Sequence, residues 1–150
     1  MKRYYLLILT FLTGCATPSV FEVPTAYQKS EAYPYVDKAW KALTAHEYDK
    51  AYQYADQCLS MYEGEARMLN TRCGELGTDK NHSGCALLND VAQCVIIQAE
   101  VYFMETEYEA GQFKCQDIDE FYFNSFILDP KGWPWKPTEY CAERLKELDL

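Results

Sequence analysis

One spacing of small and aromatic residues occurs twice along this chain, 60 residues apart. Ala39 falls on Ala99, Tyr48 on Tyr108 and Ala51 on Gly111 (99 − 39, 108 − 48 and 111 − 51 are each 60). In each unit a small residue is followed nine positions later by an aromatic one, and three later by another small one. Small residues suit places where two helices cross closely, and the aromatic fills the space beside the crossing. The pattern therefore confines the chain to paired helices.

Apolar periodicity supports this. Val36, Ala39, Trp40 and Leu43 recur at helical spacing and predict a helix over 33–45, with Pro34 in its first turn. Tyr48, Ala51, Tyr52, Ala55, Cys58, Leu59 and Tyr62 predict a second over 47–63, which Glu65–Leu76 prolongs. A turn-rich loop follows from Gly77 to Gly84. A third helix is expected over 86–106, with Val91, Cys94, Val95, Gln98, Val101, Tyr102 and Glu105 along one side. A fourth runs from Glu107 to about residue 123, its face holding Tyr108, Gly111, Cys115, Ile118 and Tyr122. Pro137 opens a last helix carrying Cys141, Leu145 and Leu148. No stretch alternates as a strand would. The expected fold class is all-α.

The stretch AWKALTAHEYDKAYQYADQCL, Ala39 to Leu59, resembles the core of a tetratricopeptide repeat, a helix–turn–helix unit of about 34 residues. The second copy, from Ala99, departs from that pattern at Gly111, where alanine is usual. The 60-residue offset departs too, and implies an insertion of roughly 26 residues, which the loop bearing Cys73 and Cys85 supplies. The resemblance covers about residues 36–130. It implies antiparallel helix pairs in a short stack, closed by a capping helix over 137–149. An unrelated small helical bundle is the alternative.

The segment DPKGWPWKP, residues 129–137, is similar to the closing segment of some bacterial tetratricopeptide-type lipoproteins. It reads in two ways. As a joint, Pro130 stops one segment, Gly132 permits a turn and Pro137 starts the last helix, while Trp133 and Trp135 pack the joint onto the stack. As a ligand clamp, the same two indoles would stack on sugar rings.

The chain opens MKRYYLLILTFLTG. Lys2 and Arg3 precede an apolar run from Tyr4 to Leu12, shorter than the roughly 20 residues that span a bilayer. That is the anatomy of an export signal. Leu12-Thr13-Gly14-Cys15 resembles the lipobox of bacterial lipoproteins, which implies acylation of Cys15 and a mature chain beginning there. Ala16 and Thr17 follow, with no aspartate; by the family's sorting rule this implies the outer membrane of a Gram-negative cell. Residues 1–14 are then the signal peptide, 15–30 a lipidated tether, and 31–150 the helical domain.

Of seven cysteines, setting Cys15 aside leaves six: Cys58, Cys73, Cys85, Cys94, Cys115 and Cys141. An even number in an exported chain suggests disulfides. Cys73 and Cys85 share one polar loop and are the first pair expected; Cys58–Cys94 and Cys115–Cys141 are the remaining assignment. Other connectivities stay open.

The formal net charge is −9, and losing Lys2 and Arg3 takes it to about −11. Such a chain is a poor ligand for nucleic acid or an anionic lipid surface. Tyrosine is abundant, with 13 copies, and suits half-buried helix faces.

Chemical motifs are incomplete. His46-Glu47 begins like a zinc-protease helix, but Lys50 stands where its second histidine belongs. Cys73, His82 and Cys85 would be three zinc ligands without a fourth nearby. Glu105, Glu107, Glu109, Asp117, Asp119 and Glu120 could supply an acid–base pair, but carboxylates on solvated helix faces are far commoner. Nucleophile-elbow, phosphate-loop and dinucleotide fingerprints are missing, so no cofactor is expected.

These readings favour a non-enzymatic adaptor, held to a membrane by its lipid and presenting a helical groove to an envelope protein or peptide. Candidate groove residues are the first-helix aromatics Tyr35, Trp40 and Tyr102. The alternative is a glycan-binding or glycan-acting protein using Trp133 and Trp135.

Overall fold

The computed structural model describes residues 29–75, 83–128 and 133–150. Cys15, the signal segment, His82, Pro130 and Gly132 lie outside the described residues. The fold is all-α: α1 (Tyr33–Thr44), α2 (Tyr48–Glu75), a 3-10 turn (Ser83–Cys85), α3 (Ala86–Met104), α4 (Tyr108–Phe121) and α5 (Pro137–Glu147). The exception is a two-residue antiparallel ladder between α4 and α5. It joins β1 (Ile127–Leu128) to β2 (Pro134–Trp135), with Ile127 opposite Trp135. Strands this short show no alternation, which is why none was expected.

α1 starts with proline in its first turn and buries Val36, Ala39 and Ala42. α2 runs unbroken past Gly64 because its buried positions continue at helical spacing: Ala51, Ala55, Cys58, Ala66 and Cys73. Its distal half has a specific task. Asn70 accepts the Asn124 amide at Oδ1 (3.0 Å), and its carbonyl accepts Asn124 Nδ2 (2.9 Å). The segment after α4 is thereby tied to α2. A Cβ on Gly74 would come within 2.5 Å of Asn124 Nδ2, so the glycine makes room for this pair.

The two hairpins share one turn. His46 (φ 59°) and Thr106 (φ 64°) are both left-handed. In the first turn the His46 amide donates to the Leu43 carbonyl (3.0 Å), and the Glu47 amide to that of Ala42 (2.9 Å). In the second, Thr106 donates to Phe103 (3.2 Å) and Glu107 to Tyr102 (2.8 Å). Every donor and acceptor is displaced by 60 (46 to 106, 43 to 103, 47 to 107, 42 to 102), so the helical repeat extends to its backbone hydrogen bonds. Both turns are Schellman caps, in which glycine usually takes the left-handed place. Thr106 is β-branched there, so Thr106→Gly is expected to stabilise the domain by about 1 kcal/mol. Thermal melting checks this; an unchanged or lower midpoint would show that the threonine is not strained.

Gly111 has a local reason. A Cβ there would overlap the Phe103 ring. The first hairpin carries Leu43 and Ala51 at the matching positions, so a larger ring in the second is offset by a smaller neighbour. Ala39, Ala51 and Ala99 are buried as expected; Tyr48 is half-buried, whereas Tyr108 is 40 % exposed and does not fill the crossing.

α3 departs most from expectation. It is buried on every side from Ala86 to Val101, not along one stripe, and Glu105 lies beyond its end in solvent. It packs against α1, α2, α4 and α5. Only two of its residues are charged, Asp90 and Glu100, as a helix enclosed all round requires. Four of its five buried polar side chains each hold a different part of the chain, the exception being Gln98, whose Oε1 has no hydrogen-bond partner. Asn89 Oδ1 accepts the Phe126 amide (2.8 Å), and Asp90 accepts the Ser30 amide (2.8 Å) and hydroxyl (2.7 Å). Gln93 accepts the Trp40 indole (3.1 Å), and Glu100 accepts Arg144 Nε of α5 (3.0 Å).

Three disulfides staple this arrangement, in the pairing expected. Cys58–Cys94 joins α2 to α3, Cys73–Cys85 joins α2 to the 3-10 turn, and Cys115–Cys141 joins α4 to α5. Their Cα separations are 6.5, 5.9 and 5.5 Å, within the range disulfides span. With Cys73 and Cys85 so bonded, neither offers a thiolate for zinc.

Candidate functional site

The three aromatics expected to line a groove are engaged by the fold. The Tyr35 ring lies 6.2 Å from that of Tyr62, at 59°. Trp40 is half-buried, with its indole nitrogen bonded to Gln93. Tyr102 shares a hydroxyl–hydroxyl bond of 3.1 Å with Tyr52, their rings edge-on at 5.5 Å. These are packing contacts across α1, α2 and α3. All three are half-buried.

The hydroxyl bond with Tyr102, then burial, then the charge Tyr102 would carry as a phenolate, push the Tyr52 phenol up to about 12. Burial raises Tyr122 and Tyr140 as well, and at Tyr140 the neighbouring Glu100 adds to it. Folding thus favours the protonated phenols. Their stabilisation is complete below the ordinary phenol value of 10.0 and is lost as pH rises from there through the folded values. Stability is expected to fall from about pH 10 upward. Absorbance titration of phenolate should show a late class that ionises together with loss of helicity; one ordinary class with the fold intact would contradict this.

A polar cleft of about 300 Å³ opens where the two repeat turns meet, lined by His46, Glu47, Tyr48, Asp49, Lys50 and Glu105. His46 Nδ1 lies 3.0 Å from the Tyr48 hydroxyl, and Lys50 pairs with Glu47 at 3.0 Å. Both histidine and lysine are therefore engaged by neighbours. Among the described residues, no group of three His, Cys, Asp or Glu side chains is placed to hold a metal.

The two C-terminal tryptophans part company. Trp135 is half-buried, its ring 5.6 Å from that of Tyr140 on α5, as a packed joint requires. Trp133 is 69 % exposed, although both indoles were expected to pack the joint. The Pro130 and Gly132 roles fall outside the described residues.

Several other large apolar side chains also stand in solvent: Met61 and Met68 on α2, and Phe113 on α4, which is 64 % exposed. Neither Met nor Phe was singled out in the sequence, because each fits a helical apolar pattern as well as any core residue. On α4 the carboxylates Glu109 and Glu120 are exposed and Asp117 is half-exposed, 3.9 Å from Lys114. Glu105, Glu107 and Asp119 are exposed as well. No buried acid–base pair is formed by these six.

No protein-family model matches the chain, and neither a curated protein nor a solved structure matches it. The fold itself defines the class: an all-α helical-repeat domain stapled by disulfides. Three disulfides place it in an oxidising, extracytoplasmic compartment. No helix among the described residues is long and apolar enough to cross a membrane.

Proposed function

We propose that this protein is a lipoprotein, anchored through Cys15 to the outer membrane, and that its tetratricopeptide-like helices dock an envelope protein or peptide. The observation that supports the docking role best is Phe113, a large apolar side chain 64 % exposed on a triply stapled helical repeat, with Met61, Met68 and Trp133 also exposed elsewhere. The anchor rests on Leu12-Thr13-Gly14-Cys15 behind a charged and apolar leader. Affinity capture from envelope extract should recover one specific partner for the folded protein. Recovery of none, with the helices intact by circular dichroism, would contradict docking.

The exposure of Trp133 favours a second reading, in which it stacks on a glycan ring. Titrating envelope glycan fragments against tryptophan fluorescence separates the two. A saturable change lost in Trp133→Ala would favour glycan; no change would leave protein docking as the reading.

A further inference from the structure

We infer that the solvent face of α4, centred on Phe113, is the docking surface, and that it takes a lysine- and arginine-rich amphipathic segment of a partner protein. This rests on the docking role proposed above. The repeat supplies an internal control. Residue 53 occupies in α2 the place that residue 113 occupies in α4 (113 − 60), and it is a glutamine, also exposed. The same hairpin geometry is thus built with a polar residue there, and the fold has no need of the phenyl ring. Two neighbours gain charge, as Gln57 and Ser60 of α2 become Asp117 and Glu120 of α4, while Asp49 is matched by Glu109 and Asp56 by Gln116.

Charge defines the partner. From Glu105 to Phe123 the chain carries six carboxylates and one lysine, a net −5 out of the whole chain's −9. On the helix, Glu109 lies one turn before Phe113, Asp117 one turn after and Glu120 two turns after, all on its side. A cationic group over the ring would meet the negative face of the π system with carboxylates on both sides. An apolar residue beside it would cover the ring edge. Neutral or acidic helices would bring no counter-charge to the same face.

The test uses the full chain in zwitterionic nanodiscs and a fluorescent amphipathic leucine–lysine peptide, read by anisotropy at low salt. Native protein should bind the peptide, and Phe113→Gln, which copies the first hairpin, should weaken it about tenfold without changing the melting temperature. Oligolysine without leucine should bind more weakly and be indifferent to that substitution. Equal peptide binding by native and Phe113→Gln protein would overturn the inference, because charge alone would then account for it. Envelope capture distinguishes the two levels. A partner captured equally by both proteins overturns the surface and keeps the docking role. Failure of native protein to capture any partner overturns the docking role itself.

Discussion

Replacing Cys58 and Cys94 together by alanine is expected to cost the domain about 4 kcal/mol. This bridge closes the longest of the three loops, 36 residues against 26 and 12. Freeing a loop of that length restores more conformational freedom to the unfolded chain than freeing either of the others. The bridge also joins α2 to α3, linking the first hairpin to the second, and both cysteines are fully buried. Alanine would therefore leave space in the core as well. A domain of this size has roughly 5–15 kcal/mol of stability, so the loss is a large share of it. Urea unfolding monitored by circular dichroism reads it directly. The same change at Cys73 and Cys85 should cost about 3 kcal/mol. A loss under about 1 kcal/mol at Cys58 and Cys94 would show that the hairpins hold together without the link.

Arg144→Met is expected to cost about 3 kcal/mol or more. Glu100 is 5 % exposed and accepts Arg144 Nε at 3.0 Å. Removing the guanidinium leaves a carboxylate enclosed between α3 and α5 without its counter-charge. The guanidinium also stands 5.9 Å from the Phe103 ring centre, so packing is lost with the charge. Adding Glu100→Leu to Arg144→Met should recover most of the loss, since an apolar pair removes the stranded charge. Thermal or urea unfolding of both variants tests this. A double variant as unstable as the single one would locate the loss in packing and not in charge.

Much of the fold was legible because helices announce themselves by period and cysteines by parity. The small residues Ala39, Ala51, Ala99 and Gly111 pointed to two hairpins, and the turns inside those hairpins repeat bond for bond. Parity and the shared loop pointed to Cys73–Cys85, but four remaining cysteines still allow three pairings, and it is the structure that joins Cys58 to Cys94 and Cys115 to Cys141. Reading one side of α3 failed because a helix enclosed all round has no polar face to reveal itself. Its few polar residues are instead spent inward, on Ser30, Trp40, Phe126 and Arg144.

The candidate site was less legible. Tyr35, Trp40 and Tyr102 looked suited to a groove because aromatic residues serve cores and interfaces alike. Their contacts with Tyr62, Gln93 and Tyr52 show that each at least packs within the fold. Trp133 and Trp135 are two residues apart and identical in type, yet Trp135 is half-buried beside Tyr140 and Trp133 is 69 % exposed. Phe113 gave no signal by itself. Its meaning comes from comparison with Gln53 on matched helices.

A docking module tethered through Cys15 is the centre of this account, and acylation with fractionation tests the tether most directly. Cells would be fed labelled palmitate and separated into membrane and soluble fractions, with native protein beside Cys15→Ser. The account predicts labelled native protein in the outer-membrane fraction, and unlabelled Cys15→Ser protein released from it with its three disulfides intact. Unlabelled native protein, or membrane retention unchanged in Cys15→Ser, would contradict it.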